Sequence, residues 1–382
     1  MKLIDIMPVN STGVKTHRDH FVIDFSQDGL YERIRDFRDL SITNAEIAET
    51  YDLQDTRDWK LSAKRRSLAA NQEWKNYFTQ CLYRPFDTRE YFHHEDVVEL
   101  PRHEVMHHML TGNNLGLIAC RQQSQQGEWT LVGVTKWITE SCAISNKTKE
   151  ANYVFPLYLY PDPIQKGLFD ASEASNASES RRPNFSPQFI DVLTTRLKLT
   201  FVPDGKGDLQ FEFGPEDIFN YMYAIFHSLT YRSRYAEFLK IDFPRLPITS
   251  NVALFCSLCA FGDQLVGLHL MEKYGQNIPK YPEPGSNVVE KVEYTQLPNN
   301  PLHGKVWINK AQYFEGVSIK VWEFHIGAYQ VCYKWLKDRK GRILSFDDIK
   351  HYQRIVAALA ETISLMDKID EKIEEYGGWP IN

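Results

Sequence analysis

The sequence predicts an α+β protein with a β-rich N-terminal half, a predominantly helical C-terminal half and a long C-terminal helix. Runs of β-branched and aromatic residues, which are typical of strands, concentrate between residues 116 and 160. Apolar residues at helical spacing dominate from residue 215 to residue 273. The last such pattern, 345–376, is long enough for about nine helical turns.

The first sixty residues contain three short patterns. "FVIDF" (21–25) alternates apolar and polar residues, which predicts a strand. "SQDGLYERIRDFRDL" (26–40) places Leu30, Ile34 and Phe37 three or four residues apart, which predicts a helix with one buried face. A second helix is predicted over "TNAEIAETY" (43–51).

Strands are predicted over 116–122, 129–139 and 153–160. The composition then changes: residues 161–187 are rich in Pro, Ser, Ala and Asn and poor in apolar residues. We therefore predict an α+β part at 1–160, a loop or linker at 161–187 and a mainly helical part at 188–382. The 161–187 stretch could equally be a long insertion within one domain.

The second half begins with two helices over 215–239 and a buried helix over 251–273. Strands return at 291–297 and 304–314. The final helix has Ser345 and Asp348 as a capping-box variant at its start. Its apolar stripe consists of Ile349, Tyr352, Ile355, Val356, Leu359, Ile363 and Met366.

The composition is ordinary for a soluble protein, with 43% hydrophobic and 25% charged residues. The net charge of −6 means that any nucleic-acid surface must be a local patch. The sequence opens without a secretory signal and has no run of transmembrane length. We expect a cytoplasmic protein with reduced thiols and no membrane partner. Cys256 and Cys259 form a C-x-x-C inside an apolar helix, which favours core cysteines over a zinc or redox site.

A zinc-protease signature, H-E-x-x-H, occurs at His103, Glu104 and His107. Two histidines four residues apart can bind Zn²⁺ from one helix face, and the glutamate can act as a general base. The helix is short, however, and the third ligand would have to be a distant residue such as Glu128 or Glu140. The alternative is a short helix with Val105, Met106 and Met109 turned inward and the histidines at a polar surface.

Five cations lie close together between residues 56 and 67, and several would share one face of a helix. They could form a binding surface or simply a solvated one. The sequence contains no Walker A motif, no G-x-G-x-x-G after a strand, no N-P-P-[YF] and no G-x-S-x-G. No catalytic constellation with suitable spacing is present.

Several long stretches together carry a family resemblance. They include "MPVNSTGVKTHRD" (7–19), "YRPFDTREYF" (83–92), "PRHEVMHHM" (101–109), "YAIFHSLTYRSRYAEFLKIDFPRLP" (223–247) and "YQVCYKWLKDRKGRILSFDDIKHYQRIV" (329–356). In this order they resemble the C-terminal target-recognition region of type ISP restriction–modification enzymes. Those polypeptides join a nuclease, a DNA-translocating ATPase, a coupling region, an adenine-N6 methyltransferase and a recognition region. The resemblance covers nearly the whole chain.

The resemblance implies sequence-specific binding of double-stranded DNA, which would position a methyltransferase and restriction machinery on a short asymmetric site. The methyltransferase domain or subunit of the same system is then a second partner. S-adenosylmethionine, ATP and Mg²⁺ would bind only to segments that this sequence lacks, so the chain is expected to hold no cofactor or metal and to catalyse nothing alone. The family box around 101–109 matches Arg102, Glu104–Met106 and His108–Met109 but not His103, which makes a zinc hydrolase the remote alternative.

Candidate contacts follow from the basic run and the family boxes. The predicted phosphate contacts are Arg57, Lys60, Lys64, Arg65 and Arg66. Further candidates, several of which could reach bases, are Arg84, Arg89, Arg102, His107, His108, Arg121, Gln122 and Gln123. Arg84 could instead form a buried ion pair with Asp87, and "CRQQSQQGE" (120–128) could be only a hairpin turn. A competing hypothesis is a structural module that docks on the methyltransferase and has little DNA affinity of its own.

Overall fold

The computed structural model describes residues 1–110, 113–124, 126–145, 150–161 and 181–381. The elements before residue 162 are α1 (Leu3–Ile6), β1 (Ser11–Thr12), α2 (Asp19–Val22), β2 (Ile23–Asp24), α3 (Gln27–Arg38), α4 (Asn44–Thr50), α5 (Leu61–Ala70), β3 (Phe78–Arg84), β4 (Asp87–Phe92), α6 (His103–Met106), β5 (Gly116–Cys120), β6 (Val132–Thr135), β7 (Ile138–Thr139), β8 (Asn152–Pro156) and β9 (Tyr158–Leu159). The later elements are β10 (Arg182–Pro183), α7 (Pro187–Leu197), β11 (Thr200–Phe201), β12 (Glu212–Phe213), α8 (Pro215–His227), α9 (Leu229–Arg234), α10 (Ala236–Ile241), α11 (Val252–His269), β13 (Glu293–Leu297), β14 (Asn300–Trp307), β15 (Tyr313–Ser318), α12 (Ile319–Trp322), β16 (His325–Ile326), β17 (Tyr329–Gln330), α13 (Val331–Lys337) and α14 (Phe346–Glu375). The predicted α+β class is confirmed.

The first sheet is antiparallel and has the strand order β1-β8-β5-β6. It shares a hydrophobic core, the first core, with α7, α8, α11 and the second half of α14. Residues from both sides of 161–187 meet in this core, and β10 pairs with β9 across the same stretch. The two predicted parts of the chain therefore share one core. Residues 162–180, most of the predicted loop or linker, lie outside the described residues.

The second sheet has the order β2-β4-β3-β7, with β7 parallel to β3 and the other pairs antiparallel. Its core, the second core, contains Leu30, Ile34 and Phe37 from α3, as predicted. The strand predicted over 21–25 is wrong for Phe21 and Val22. Their amides donate to the carbonyl of Arg18, which closes the short helix α2 instead. The β3–β4 hairpin was not predicted.

The third sheet, β13-β14-β15, is antiparallel and packs with α12, α13 and the first half of α14 in a third core. The helix α14 has 30 residues and is therefore about 45 Å long. Ser345 and Asp348 form the predicted capping box at its start. Tyr352 and Ile355 belong to the third core, whereas Leu365 and Ile369 belong to the first. One helix thus connects two cores.

Within the described part of the chain, α11 is the one helix that is long and apolar enough to cross a membrane. Half of it is buried inside the protein. It packs against α8 and α14. Cys259 on this helix is buried, with Sγ 3.2 Å from the carbonyl oxygen of Asp217, while Cys256 is half-buried. The prediction of a core position is confirmed for Cys259.

Candidate nucleic-acid interface

Arg65 lies inside the protein, where it holds the loop between α3 and α4. The residue is only 1% exposed. Its guanidinium donates, over 2.6–2.9 Å, to the carbonyl oxygens of Phe37, Asp39 and Ile42 and to Oδ1 of Asn44. Because a side chain engaged in this way cannot also reach a phosphate, Arg65 is removed from the predicted DNA contacts.

The other four cations of the basic run lie at the surface. The Arg57 side chain is 95% exposed, and the nearest carboxylates to Arg57 and Lys60 are 3.8 Å away, in exposed pairs that bind weakly. Lys60 and Lys64 are one helical turn apart and share a face of α5, whereas Arg66 is exposed but two positions further on and points elsewhere. The structure therefore brings Lys60 and Lys64 to one side of the protein.

The α5 face adjoins two other segments. Trp59, just before α5, donates from Nε1 to the carbonyl of Asp96 at 2.6 Å, and Lys64 pairs with the Asp96 carboxylate at 3.2 Å. Arg18 stacks over Trp59 at 3.8 Å and pairs with Glu99. Segments 15–18, 57–64 and 96–102 thus form one surface, which we call the α5 surface. It carries carboxylates as well as cations.

Two residues on the α5 surface were missed in the sequence. Lys15 forms a backbone bridge with Leu100 and is half-buried, and His17 is exposed with a φ of 56°. A positive φ is uncommon for a residue with a side chain, and it often marks a functional loop. Both residues lie in the "MPVNSTGVKTHRD" stretch, which was the available signal.

The turn after Pro101 is much shorter than a metalloprotease helix. It consists of α6 and a following 3-10 turn (His107–Met109), and Arg102 precedes it with a φ of 53°. Val105, Met106 and Met109 are buried, as predicted. His108 is buried as well, and its Nδ1 accepts from the amide of Tyr160 at 3.0 Å. His108 therefore has a structural role, while Arg102 and His107 stay at the half-buried edge of the α5 surface.

The arrangement of His103, Glu104 and His107 does not form a zinc site. Nδ1 of His107 lies 2.7 Å from the carbonyl of His103, within the same turn. The two suggested third ligands are engaged elsewhere: Glu128 pairs with Arg232 at 3.2 Å and Glu140 with Arg84 at 2.8 Å. Among the residues that the structure describes, no group of three His, Cys, Asp or Glu side chains could hold a metal ion.

Arg84 and Arg89 are mostly buried and take part in ion pairs. The expected alternative, an Arg84–Asp87 pair, is wrong, because Arg84 pairs with Glu140. Asp87 accepts instead from Arg89 and from Arg339, each at 2.7 Å. Burial by itself raises the pKa of Asp87, but the two arginines outweigh it and hold that pKa below its ordinary value. Arg84 and Arg89 are thus removed from the candidate base contacts.

Arg121, Gln122 and Gln123 lie at the opposite end of β5 from the turn at 102–109. Arg121 is five residue steps along the strand direction from Gly116, which corresponds to about 17 Å. Arg121 and Gln122 are exposed, whereas the amide of Gln123 donates to the carbonyl of Lys240 in α10. The segment connects the antiparallel neighbours β5 and β6, as the hairpin interpretation predicted. These three residues do not join the α5 surface.

Comparison with known proteins assigns the family. Residues 5–368 match the family model of the type ISP C-terminal specificity domain. The chain belongs to this family. No curated protein sequence is significantly similar to it.

Three solved structures share the fold of this type ISP specificity domain, and each match covers 95% of the chain. A cryo-EM structure of a DrdV–DNA complex has a TM-score of 0.69 at 18% identity. The ATP-dependent type ISP restriction–modification enzyme LlaBIII, bound to DNA, has a TM-score of 0.66 at 18% identity. A nuclease-deletion mutant of the type ISP enzyme LlaGI, in complex with a DNA substrate mimic, has 0.60 at 16% identity. The chain spans 36%, 23% and 28% of these three chains, respectively.

Proposed function

We propose that this chain is the part of a type ISP restriction–modification system that recognises the DNA target sequence. The observation that carries the proposal is the match of residues 5–368, nearly the whole chain, to the specificity-domain family. The three structural neighbours, all in complex with DNA or a DNA mimic, support it. In this role the domain positions an adenine-N6 methyltransferase and restriction machinery on a short asymmetric site.

The α5 surface is the proposed site of part of this contact. Arg57, Lys60 and Lys64 are suited to phosphates, because they are exposed or half-exposed and their acidic partners leave donors available. Arg102, on the adjoining turn, is suited to a base edge, which a guanidinium can read in the major groove. His107 is less suited, because its Nδ1 contacts the carbonyl of His103 and its Nε2 is buried. Arg66, Arg121 and Gln122 remain exposed candidates for separate contacts.

Catalysis belongs, in this proposal, to other parts of the system. The structural neighbours are roughly three to four times longer than this chain, since the chain spans 23–36% of them. S-adenosylmethionine, ATP and Mg²⁺ would bind to methyltransferase, ATPase and nuclease segments, and the whole system would act in the cytoplasm. This chain contributes the choice of DNA sequence.

A second candidate function, docking on the methyltransferase, is favoured by one surface. Phe238 and Ile241 on α10 are 58% and 69% exposed, beside a cavity of about 490 Å³ lined by Tyr231, Tyr235 and Leu239. Exposed apolar residues around a cavity are typical of protein–protein contacts. In the docking role, replacing Phe238 and Ile241 with serine abolishes co-purification with the methyltransferase. In the recognition role, DNA retention by the same variant is unchanged.

The experiment that tests recognition is selection from a pool of random DNA duplexes at two salt concentrations, followed by sequencing of the retained fraction. Enrichment of a short asymmetric motif that contains an adenine is the expected result. Retention at low salt without a motif would mean that the domain holds only the DNA backbone by itself. No retention at either salt would refute recognition by this chain and favour docking.

A further inference from the structure

A second cationic surface lies at the end of α13, far from the basic run in the sequence. Residues 334–342, "KWLKDRKGR", contain five cations and one carboxylate, in a chain whose net charge is −6. One of the five, Arg339, is buried and neutralised by Asp87. The other four, which we call the α13 cations, are Lys334, Lys337, Lys340 and Arg342.

The α13 cations have no acidic partner within the part of the chain that the structure describes. In the described part of the chain none of them takes part in an ion pair, and Lys337, Lys340 and Arg342 are exposed. Their neighbours are aromatic: Arg342 lies 4.3 Å from the ring of Phe25, and Lys337 lies 5.4 Å from the ring of Tyr333. This differs from the α5 surface, where carboxylates accompany the cations.

The backbone holds the α13 cations in a fixed arrangement. Arg339 stacks on Trp335 at 3.4 Å while it pairs with Asp87, which anchors the turn from inside. Gly341, with a φ of 81°, donates to the carbonyl of Val289, and Val289 donates back to the carbonyl of Arg342. A ligand that binds here has little backbone to order, so little conformational entropy is lost.

The turn also lies where two parts of the protein meet. The ring of Phe25, between β2 and α3, contacts the guanidinium groups of Arg89, Arg339 and Arg342 at 4.1–4.9 Å. Arg89 belongs to the second sheet, whereas Arg339 and Arg342 follow α13 of the third core. A polyanion bound to the α13 cations would therefore lie next to the contact between the second sheet and the third core.

We propose that Lys334, Lys337, Lys340 and Arg342 form a second phosphate-binding surface for the backbone of double-stranded DNA. The inference rests on the proposed DNA-recognition function. Duplex DNA carries a regular, dense row of negative charges, which matches several unpaired cations held on one rigid turn. Such a contact does not depend on the base sequence. It increases the affinity and fixes the position of the protein on the duplex, while other residues read the bases. An acidic protein surface is the competing occupant.

The test is a double charge reversal, Lys337→Glu with Lys340→Glu, in the full chain. Binding to a 30-base-pair duplex is measured by fluorescence anisotropy between 50 and 300 mM salt. Loss of two phosphate contacts should weaken binding roughly ten- to a hundredfold near 0.1 M salt and reduce the slope of log K against log salt by about 1.8. Lys198→Glu with Arg234→Glu is the matched control and should leave the slope almost unchanged; it changes two exposed cations, one just after α7 and one on α9.

The outcomes separate this inference from the function on which it rests. If the unmodified chain binds no duplex, the proposed function fails. If it binds and the reversal changes neither affinity nor slope, only the second surface is refuted, and an acidic protein partner becomes the better explanation. Lys337→Arg with Lys340→Arg should restore binding. If the reversal variant does not fold, Lys337→Gln with Lys340→Gln removes the charges without adding acids and gives the same readout.

Discussion

Asp87 and Arg339 are 252 residues apart in the sequence, yet their carboxylate and guanidinium lie 2.7 Å apart in the interior. The contact joins the first residue of β4 to the turn after α13. Arg89 donates to the other carboxylate oxygen, so the single charge of Asp87 serves two guanidinium groups. The second and third cores are held together at this point.

Removing the Asp87 carboxylate should therefore destabilise the protein strongly. Asp87→Ala leaves two buried guanidinium groups without their anion, and we expect a loss of about 3–5 kcal/mol in the free energy of unfolding. Arg339→Met should cost less, because Arg89 still neutralises Asp87. Denaturant unfolding measures both variants. Arg57→Met, which breaks an exposed pair, is the control and should change stability by less than about 1 kcal/mol. An equally small change for Asp87→Ala would contradict the structural role.

Arg65 and Lys64 are neighbours in the sequence, but they should respond to substitution in opposite ways. Arg65→Met removes the guanidinium donor from the carbonyls of Phe37, Asp39 and Ile42, and we expect a loss of roughly 2–4 kcal/mol of stability. The DNA affinity of the folded fraction should not change. Lys60→Glu with Lys64→Glu should weaken DNA binding with a reduced salt slope, and the affinity is compared for the folded fraction because Lys64 also pairs with the buried Asp96. An intact salt slope in the lysine variant would remove these residues from the interface.

Buried histidines should make the protein less stable in weak acid. Burial lowers the pKa of His269 to about 3 and that of His93 to about 4, and it also lowers the pKa of His227. Each stays neutral in the folded state, whereas the unfolded chain takes up a proton near pH 6.5. The stability is complete above about pH 6.5 and falls as the pH decreases toward the folded pKa values. The slope is up to about 1.4 kcal/mol per pH unit for each histidine.

Denaturant unfolding at pH 7.5, 6.0 and 5.0 measures this dependence. His269→Gln is the informative variant, because its amide can keep contacts with Tyr223 and Thr362, which now bond to the imidazole. In this variant, the part of the pH dependence of the unfolding free energy that comes from the three histidines should be about one third smaller. A variant with the same pH dependence as the unmodified chain would show that His269 does not couple folding to protonation.

The H-E-x-x-H sequence should bind no structural or catalytic zinc. The histidines sit on a single turn, and both suggested third ligands are paired with arginines. We expect less than about one tenth of an equivalent of zinc after dialysis, by elemental analysis, as a weak, incomplete ligand set implies. His107→Ala should then leave both metal content and melting temperature in added zinc unchanged. Stoichiometric zinc that the substitution removes would revive the hydrolase hypothesis.

The spacing of apolar residues predicted those helices that bury one amphipathic face in a core. The α3 helix, with Leu30, Ile34 and Phe37, and the capped α14 helix are examples. The β3–β4 hairpin was missed because its half-buried strands lack clean alternation and its turn uses Phe86 at a φ of 59° instead of glycine. Phe21 and Val22 look like strand residues, but a neighbouring carbonyl makes them helical.

The candidate interface was predicted less well than the fold, and the reason is that exposure depends on distant partners. Arg65 and Arg66 are adjacent and chemically identical, yet one is buried and the other exposed. Arg84 pairs with Glu140, just after β7, and Asp87 with Arg339, just after α13; no spacing rule identifies these distant partners. Lys337, Lys340 and Arg342 lie in a stretch that was noticed only for its resemblance. Whether these cations form ion pairs depends on where the Asp and Glu side chains lie in three dimensions, which the sequence does not show.

The α14 helix has a consequence for how the molecule unfolds. Since its first half completes the third core and its second half completes the first, neither core can melt alone without exposing part of the same helix. These two cores should behave as one cooperative unit, with amide protons along Tyr352–Ile369 exchanging together through global opening. Truncation after Ala360 would remove Leu365, Ile369 and Ile373 from the first core rather than trim a free tail. The first and third cores thus form one piece, and under the proposed function any transfer of this part of the domain between systems would have to include α14.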